Sequence, residues 1–159
     1  MTAFDRAIEF VLSQEGGFVD DPADPGGTTK YGISHRAYPD IDIPAMTIDE
    51  ARAIYRRDYW DAIRLDEIPE PLAFLTFDAA VNTGRSSAVR MLQAALGVKQ
   101  DGVIGPVTIS AASGAALGDL VVELAARRMN GYGLIPQFTR YGLGWSRRLM
   151  RCYRMALEV

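Results

Sequence analysis

The sequence predicts a mostly α-helical fold with a small irregular or β-containing lobe near the N-terminus. Several segments carry apolar residues at helical spacing, and one of them is apolar on almost every face. Such spacing marks the face that a helix buries in a core. A single run from Glu15 to Ile33 is instead rich in glycine, proline and acid, a composition that disfavours helix interiors and central strands. We therefore expect residues 18–34 to form the lobe.

The first helix is predicted to start after Thr2 and to stop before a Gly-Gly pair. Thr2 with Asp5 three residues later matches a capping box, and glycines commonly end helices. The apolar residues of this segment share one face: Phe4, Ala7, Ile8, Val11 and Leu12. At ~100° per residue, Glu15 lies only about 20° around the helix from Phe4, so it continues the buried face.

Two further helices are predicted in the first half of the chain. Thr47 and Glu50 form a second capping box and begin a helix that extends to about Trp60, with Ile48, Ala51, Ile54, Tyr55 and Tyr59 facing inward. Pro69 and Pro71 then start the helix that is apolar almost all round, which predicts a buried central position. Gly84 suits its C-terminal end.

The second half is predicted to contain shorter and less regular elements. Residues 86–96 have amphipathic spacing, Pro106 suits the first turn of the next helix, and Asp119 is expected to cap a helix that ends near Met129. The glycine-rich segment 130–145 is predicted to lack regular structure. A last helix is expected from about Trp145, with Leu149, Cys152, Tyr153 and Ala156 on one side.

Length and composition indicate an ordinary soluble globular protein. The chain has 159 residues, 48% of them hydrophobic and 23% charged, enough for one sizeable core. Its apolar runs are too short to span a membrane, and its N-terminus lacks the pattern of a secretory signal. The single cysteine, Cys152, excludes internal disulfides and fits a reducing compartment. In a helical pattern it is expected to be a buried structural thiol.

The run after the first helix carries the chemistry. A carboxyl group at the edge of an apolar face, as Glu15 is predicted to be, is expected to stay protonated because desolvation penalises its ionised form. Asp24 lies nine residues later in a polar loop and should stay ionised. Glycosidic bond cleavage needs two carboxylates in such contrasting environments. The same residue types also suit a helix end and ordinary turns, so residue type alone leaves both interpretations open.

Metal and nucleophile chemistry are poorly supported. The acids of the run do not follow the alternating pattern of a calcium loop that ends in glutamate. His35 is the only histidine, and no serine or cysteine nucleophile motif accompanies it. We therefore predict no metal and no cofactor.

The stretch EGGFVDDPADPGGTTKYGIS closely resembles the signature of the glycoside hydrolase family 108 muramidases, a lysozyme-like group. The resemblance implies that Glu15 is the essential acid. By similarity to the Glu–Asp–Thr arrangement of phage-type lysozymes, it implies that Asp24 is the second carboxylate and Thr29 the hydroxyl that positions water. The spacing here is four intervening residues instead of five, so Thr28 competes with Thr29 for this role. Asp20, Asp21 and Tyr31 are expected to bind substrate, although Tyr31 equally suits packing.

Weaker resemblances extend along the chain. FDAAVNTG resembles the same family, and Asn82 in it could reach a substrate acetamido group or simply end its helix. DGVIGPVT resembles a turn of peptidoglycan-binding domains. GWSRRL resembles the closing motif of the family, with Arg148 at the matching arginine, Arg147 in place of a polar amide, and Trp145 either a stacking platform or core. The resemblance divides the chain into a catalytic region, 1–85, and a peptidoglycan-binding-type helical half, 86–159, packed on it.

The charge is unevenly distributed. Residues 127–159 hold seven arginines and one acid, whereas the preceding residues hold ten basic and nineteen acidic groups. Such a segment can form a basic surface for an anionic polymer, here the peptide carboxylates or teichoic acids of a cell wall. Alternatively, the arginines pair with the acidic part or form a solvated face. Nucleic-acid binding is poorly supported because no recognition motif accompanies the charge.

The resemblance implies a peptidoglycan hydrolase that cleaves the β-1,4 bond between N-acetylmuramic acid and N-acetylglucosamine. Two alternatives stay open: a lytic transglycosylase acting on the same bond, and a non-catalytic wall-binding or secretion-assisting protein. The expected protein is a monomer made in the bacterial cytoplasm, without stable membrane insertion, that reaches the wall by another route such as a holin lesion.

Overall fold

The structure is a computed structural model that describes residues 1–18 and 27–159. This part of the chain contains seven α-helices and one small hairpin: α1 (Ala3–Gln14), β1 (Thr29–Lys30), β2 (Ile33–Ser34), α2 (Ile48–Tyr55), α3 (Glu70–Thr83), α4 (Arg85–Ala95), α5 (Pro106–Ser113), α6 (Leu117–Gly133) and α7 (Phe138–Ala156). One π-helical turn, Arg56–Trp60, and two 3-10 turns, Asp61–Ile63 and Leu65–Glu67, continue from α2 towards α3. The mostly α-helical fold with a small β-containing lobe is thus confirmed.

Helix α3 is the centre of the molecule. It is buried on nearly every side and packs against α1, α4, α6 and α7. Around Phe77, three rings meet edge to face, with centroids 5.3 Å away for Trp60, 5.9 Å for Phe4 and 6.2 Å for Tyr55. The core continues through residues from both halves of the chain, from Phe4 to Ala156. The central position predicted from its uniform apolar character is confirmed.

Local signals located the helix starts near Thr2 and Thr47 correctly. Each threonine hydroxyl accepts a hydrogen bond from the backbone N–H three residues later, and the acid at that position accepts one from the threonine N–H. The prediction that Ile48 faces inward is wrong, because this residue is 48% exposed. It is the first residue of α2.

The hairpin adopts the predicted position in the lobe. Thr29 is opposite Ser34 and Lys30 is opposite Ile33, in antiparallel register. Tyr31 and Gly32 form the two-residue turn and both have positive φ, 53° and 78°. This is the type I′ geometry, whose twist matches that of a two-stranded ribbon.

The C-terminal helices begin earlier than predicted. Asp119 is not a cap, because α6 starts at Leu117 and Asp119 lies in its first turn. The segment 130–145 is not irregular: α6 continues to Gly133 and α7 starts at Phe138. Gly142 is buried beneath the Phe138 ring, where a Cβ would lie 2.7 Å from ring carbons. The glycine that weakens local helix propensity therefore allows the close packing that stabilises the helix.

Candidate active site

The site is built around Glu15, the residue that ends α1. Its backbone has left the helical conformation, with φ −78° and ψ 137°, but its N–H still donates to the Val11 carbonyl at 2.9 Å. The side chain is 22% exposed. The helix thus fixes the Glu15 backbone while its carboxylate remains accessible to solvent.

The hairpin turn lies directly against Glu15. A Cβ at Gly32 would lie 2.9 Å from Cγ and 3.0 Å from Oε2 of Glu15, and 2.6 Å from the Tyr55 hydroxyl. That hydroxyl donates to the Tyr31 carbonyl at 2.9 Å and so ties the turn to α2. Burial, and then the negative charge of Glu15, raises the pKa of Tyr55, so Tyr55 stays a hydroxyl donor at ordinary pH. Glycine is needed at position 32 both for its φ and for its lack of a side chain.

Arg148 of α7 holds the other side of the Glu15 carboxylate. Its Nη1 donates to Glu15 Oε1 at 2.8 Å, and its Nε and Nη2 donate to Asp78 Oδ1 at 2.9 and 2.8 Å. Burial lowers the pKa of Arg148, but the charges and hydrogen bonds of Asp78 and Glu15 outweigh this and raise it. The guanidinium fork is therefore a permanently charged link between α1, α3 and α7.

A chain of alternating charges continues inward from Arg148. Asp78 is 1% exposed and Arg128 2%, and their Oδ2 and Nη1 atoms are 2.6 Å apart. The two atoms form a charge contact without an aligned hydrogen bond. Arg128 Nε donates to the Tyr132 hydroxyl at 2.8 Å, and this hydroxyl donates to Asn82 Oδ1 at 3.0 Å. When Glu15 is ionised, the four charges from Glu15 to Arg128 cancel, which favours their burial.

The environment of Glu15 differs from the one expected from the sequence. Its apolar-face position predicted contact with apolar surface, but its side chain is half-buried and bound to a guanidinium. The helical periodicity predicts the backbone position of Glu15 correctly, but a tertiary partner 133 residues away determines the surroundings of the carboxylate. Oε1 is occupied by Arg148, and among the described residues Oε2 makes no hydrogen bond.

The two hydroxyls that compete for the third catalytic role lie in and next to the hairpin. Thr29 is half-buried in β1, and its hydroxyl donates to the Gly27 carbonyl at 3.3 Å. Thr28 precedes it and accepts the backbone N–H of His35 at 2.9 Å through its carbonyl. The choice between these two hydroxyls stays a prediction. The predicted second carboxylate, Asp24, and the predicted substrate-binding residues Asp20 and Asp21 lie outside the described residues.

The remaining predicted binding residues occupy three separate positions. Tyr31 is half-buried in the hairpin turn beside Glu15. Asn82 is exposed at the end of α3, and its carbonyl oxygen is engaged by Tyr132, so its amide N–H groups are available as donors. Trp145 is half-buried in α7 among the rings of Tyr132, Phe138 and Tyr141, with centroids 5.5–6.2 Å away. These contacts are those of a packing residue that remains partly exposed.

Sequence reasoning missed the residues that hold the acid in place: Asp78, Arg128, Tyr132, Tyr55 and Gly32. One signal was available for Asp78, since an aspartate within an otherwise apolar buried helix requires a charged partner. The partners themselves have no local signal, because Asp78 and Arg148 are 70 residues apart in the chain.

No metal-binding or membrane-spanning element occurs in the described ranges. No group of three histidine, cysteine or acidic side chains there could hold a metal ion. Within residues 1–18 and 27–159, none of the helices combines the length and apolar composition needed to cross a bilayer.

Comparison with known proteins identifies the family. The model of a family described as Glycosyl hydrolase 108 matches residues 8–84, which include Glu15 and Asp78. The structure also matches that of SagA from Brucella abortus, with a TM-score of 0.87 and 36% sequence identity, over 98% of this chain and 94% of that one. No curated protein sequence matches the chain. The fold, the signature around Glu15 and these matches together show that the chain belongs to glycosyl hydrolase family 108 and is a glycoside hydrolase.

Proposed function

We propose that the protein is a muramidase that hydrolyses the β-1,4 bond between N-acetylmuramic acid and N-acetylglucosamine in peptidoglycan. The observation that carries the proposal is the anchored carboxyl group of Glu15, which Arg148 and Gly32 hold on two sides while it remains 22% exposed. A general acid must be both fixed and accessible to the leaving oxygen.

The contacts of Glu15 divide its two oxygens between two roles. Oε1 accepts from Arg148, so Oε2 is the oxygen that presents its proton to the glycosidic oxygen. The acid is protonated before the reaction; when the proton leaves, the Glu15 carboxylate completes the balanced row of charges with Arg148, whose guanidinium already lies at 2.8 Å. Arg148 thus contributes without moving during the reaction.

We assign the attack of water to residues of the stretch that resembles the family signature. Asp24 stabilises the oxocarbenium-like transition state or activates the attacking water, and Thr29 positions that water. Asn82 presents amide donors, which suit the carbonyl oxygen of an acetamido group. Because these assignments rest on the family signature, variants at Asp24, Thr28 and Thr29 complete the test of the proposal.

The first experiment compares Glu15→Gln with the wild type on purified peptidoglycan. Glutamine retains an oxygen that can accept from Arg148 but has no acidic proton to transfer to the leaving oxygen, so we expect activity to fall ~100- to 10,000-fold. Glu67→Gln is the matched control, since Glu67 also pairs with an arginine, Arg64, but is exposed on a 3-10 turn. It should keep wild-type activity.

Mass spectrometry of the released fragments separates the alternatives. Reducing N-acetylmuramic acid ends from the wild type, lost with Glu15→Gln, would support the muramidase. 1,6-Anhydro ends would reassign the protein to the lytic transglycosylases. Binding to sacculi without released fragments would leave a wall-binding protein.

A further inference from the structure

Four arginines of α7 form a stripe along its exposed face. Arg140, Arg147, Arg151 and Arg154 are spaced by seven, four and three residues, which places them within about 60° of one another around the helix at ~100° per residue. All four side chains are exposed. We call this row the arginine stripe, and at ~1.5 Å per residue it is about 21 Å long.

The stripe carries uncompensated charge. None of its four arginines forms an ion pair with a carboxylate among residues 1–18 and 27–159, although the remainder of the chain is acidic. The other three arginines of this segment differ: Arg127 pairs with Glu123, and Arg128 and Arg148 pair with Asp78. Pairing within the fold, one of the two alternatives for this basic segment, therefore accounts for only these three.

The stripe passes close to the candidate active site. Arg147 directly precedes Arg148, the partner of Glu15. Arg151 and Arg154 line a cavity of about 490 Å³ together with Ser13 and Gln14, the two residues before Glu15. Glu9 lines the same cavity. A polymer whose scissile bond lies at Glu15 can therefore place its neighbouring groups along the stripe.

We propose that the arginine stripe binds the carboxylates of the peptide stems of peptidoglycan. The proposal rests on the proposed function, because it takes the polymer cleaved at Glu15 as the occupant. Peptidoglycan carries carboxylate-bearing stems at regular intervals, so several arginines can be engaged at once, and simultaneous contacts strengthen binding beyond each single one. Guanidinium groups match carboxylates in geometry as well as in charge.

The test uses the full chain with Arg147, Arg151 and Arg154 replaced together by glutamine. On intact sacculi we expect KM to rise about tenfold with a smaller change in kcat. Each exposed charge contact contributes little alone, but three lost together amount to a change of about this size. On glycan strands stripped of peptides by an amidase, the rise in KM should be much smaller. Replacement of the same three residues by lysine should recover most of the loss, and Arg36→Gln, at an exposed arginine outside the stripe, should behave as wild type.

Three results would overturn the proposal. The first is an equal loss on stripped strands and intact sacculi, and the second is no loss on either. The third is unchanged binding to sacculi together with lost binding to phosphatidylglycerol vesicles, which would identify a membrane surface as the partner. Sedimentation of the protein with sacculi measures binding through the arginine stripe even if no bond is cut. Absence of the proposed reaction and absence of binding by the stripe therefore give different results.

Discussion

Replacing Gly32 by alanine should disable the candidate active site through a single methyl group. The hairpin turn touches Glu15 at this residue, where the added Cβ would lie 2.9 Å from Glu15 Cγ and 2.6 Å from the Tyr55 hydroxyl. Both groups fix the surroundings of the acid, since Tyr55 ties the turn to α2. The substitution therefore tests whether the position of the acid depends on the hairpin.

The structure sets the size of the effect. Ordinary contacts of a Cβ begin near 3.4 Å, so Glu15 or the turn must move by roughly half an ångström, and a misplacement of ~1 Å costs about 100-fold in rate. We expect kcat/KM to fall about 10- to 100-fold. An alanine at positive φ also costs about 1–2 kcal/mol of stability.

The control isolates the contact from the backbone strain. Gly97 has a similar φ, +68°, but nothing lies within 4 Å of its added Cβ. Gly97→Ala should therefore lose similar stability in a thermal melt and retain activity in a fragment-release assay. If Gly32→Ala is as active as Gly97→Ala, the turn does not position Glu15 and the reasoning is refuted.

Three further predictions concern buried and titrating groups. Asp78→Asn removes the carboxylate that pairs with both buried Arg128 and half-buried Arg148 and should lower the free energy of unfolding by about 3–5 kcal/mol. Asp40→Asn, at an exposed position, should leave the thermal midpoint unchanged, and equal thermal midpoints for the two variants would contradict the prediction. Burial raises the pKa of the Cys152 thiol, so a thiol reagent should modify it only after unfolding, and fast native labelling would contradict the packing. The hydrogen bond from Arg57 holds the pKa of Asp58 below its ordinary value of 3.8. The stabilisation of the fold by ionised Asp58 is therefore complete above pH 3.8 and is lost as the pH falls through the pKa of the folded protein. The difference in thermal midpoint between wild type and Asp58→Asn should shrink in that range, and a constant difference would refute a stabilising role for the Asp58 charge.

Features encoded by neighbouring residues could be predicted from the sequence. The capping boxes at Thr2 and Thr47 involve side chains three residues apart, so the pattern and the geometry coincide. The uniform apolar character of α3 identified the central helix because it has no polar side to expose. Glu15 was located for a similar reason, since the end of its own helix determines its position.

Features that depend on contacts between distant residues could not be predicted from the sequence. Local propensity placed no helix over residues 138–144, yet packing of Phe138 on Gly142 and of Trp145 on Tyr132 stabilises one there. The anchoring of Glu15 depends on Arg148, 133 residues away, and no spacing rule links such positions. Their contact follows from the packing of α3 against both α1 and α7.

The link between Glu15 and Arg148 also imposes an order of events during biosynthesis. The ribosome makes Glu15 133 residues before its guanidinium partner Arg148, and the family-matched segment 8–84 does not include that partner. A nascent chain therefore carries the acid without its anchor until α7 has been translated and has docked. Under the proposed mechanism, catalytic competence requires that α7 has docked, and any local unfolding that releases α7 removes it.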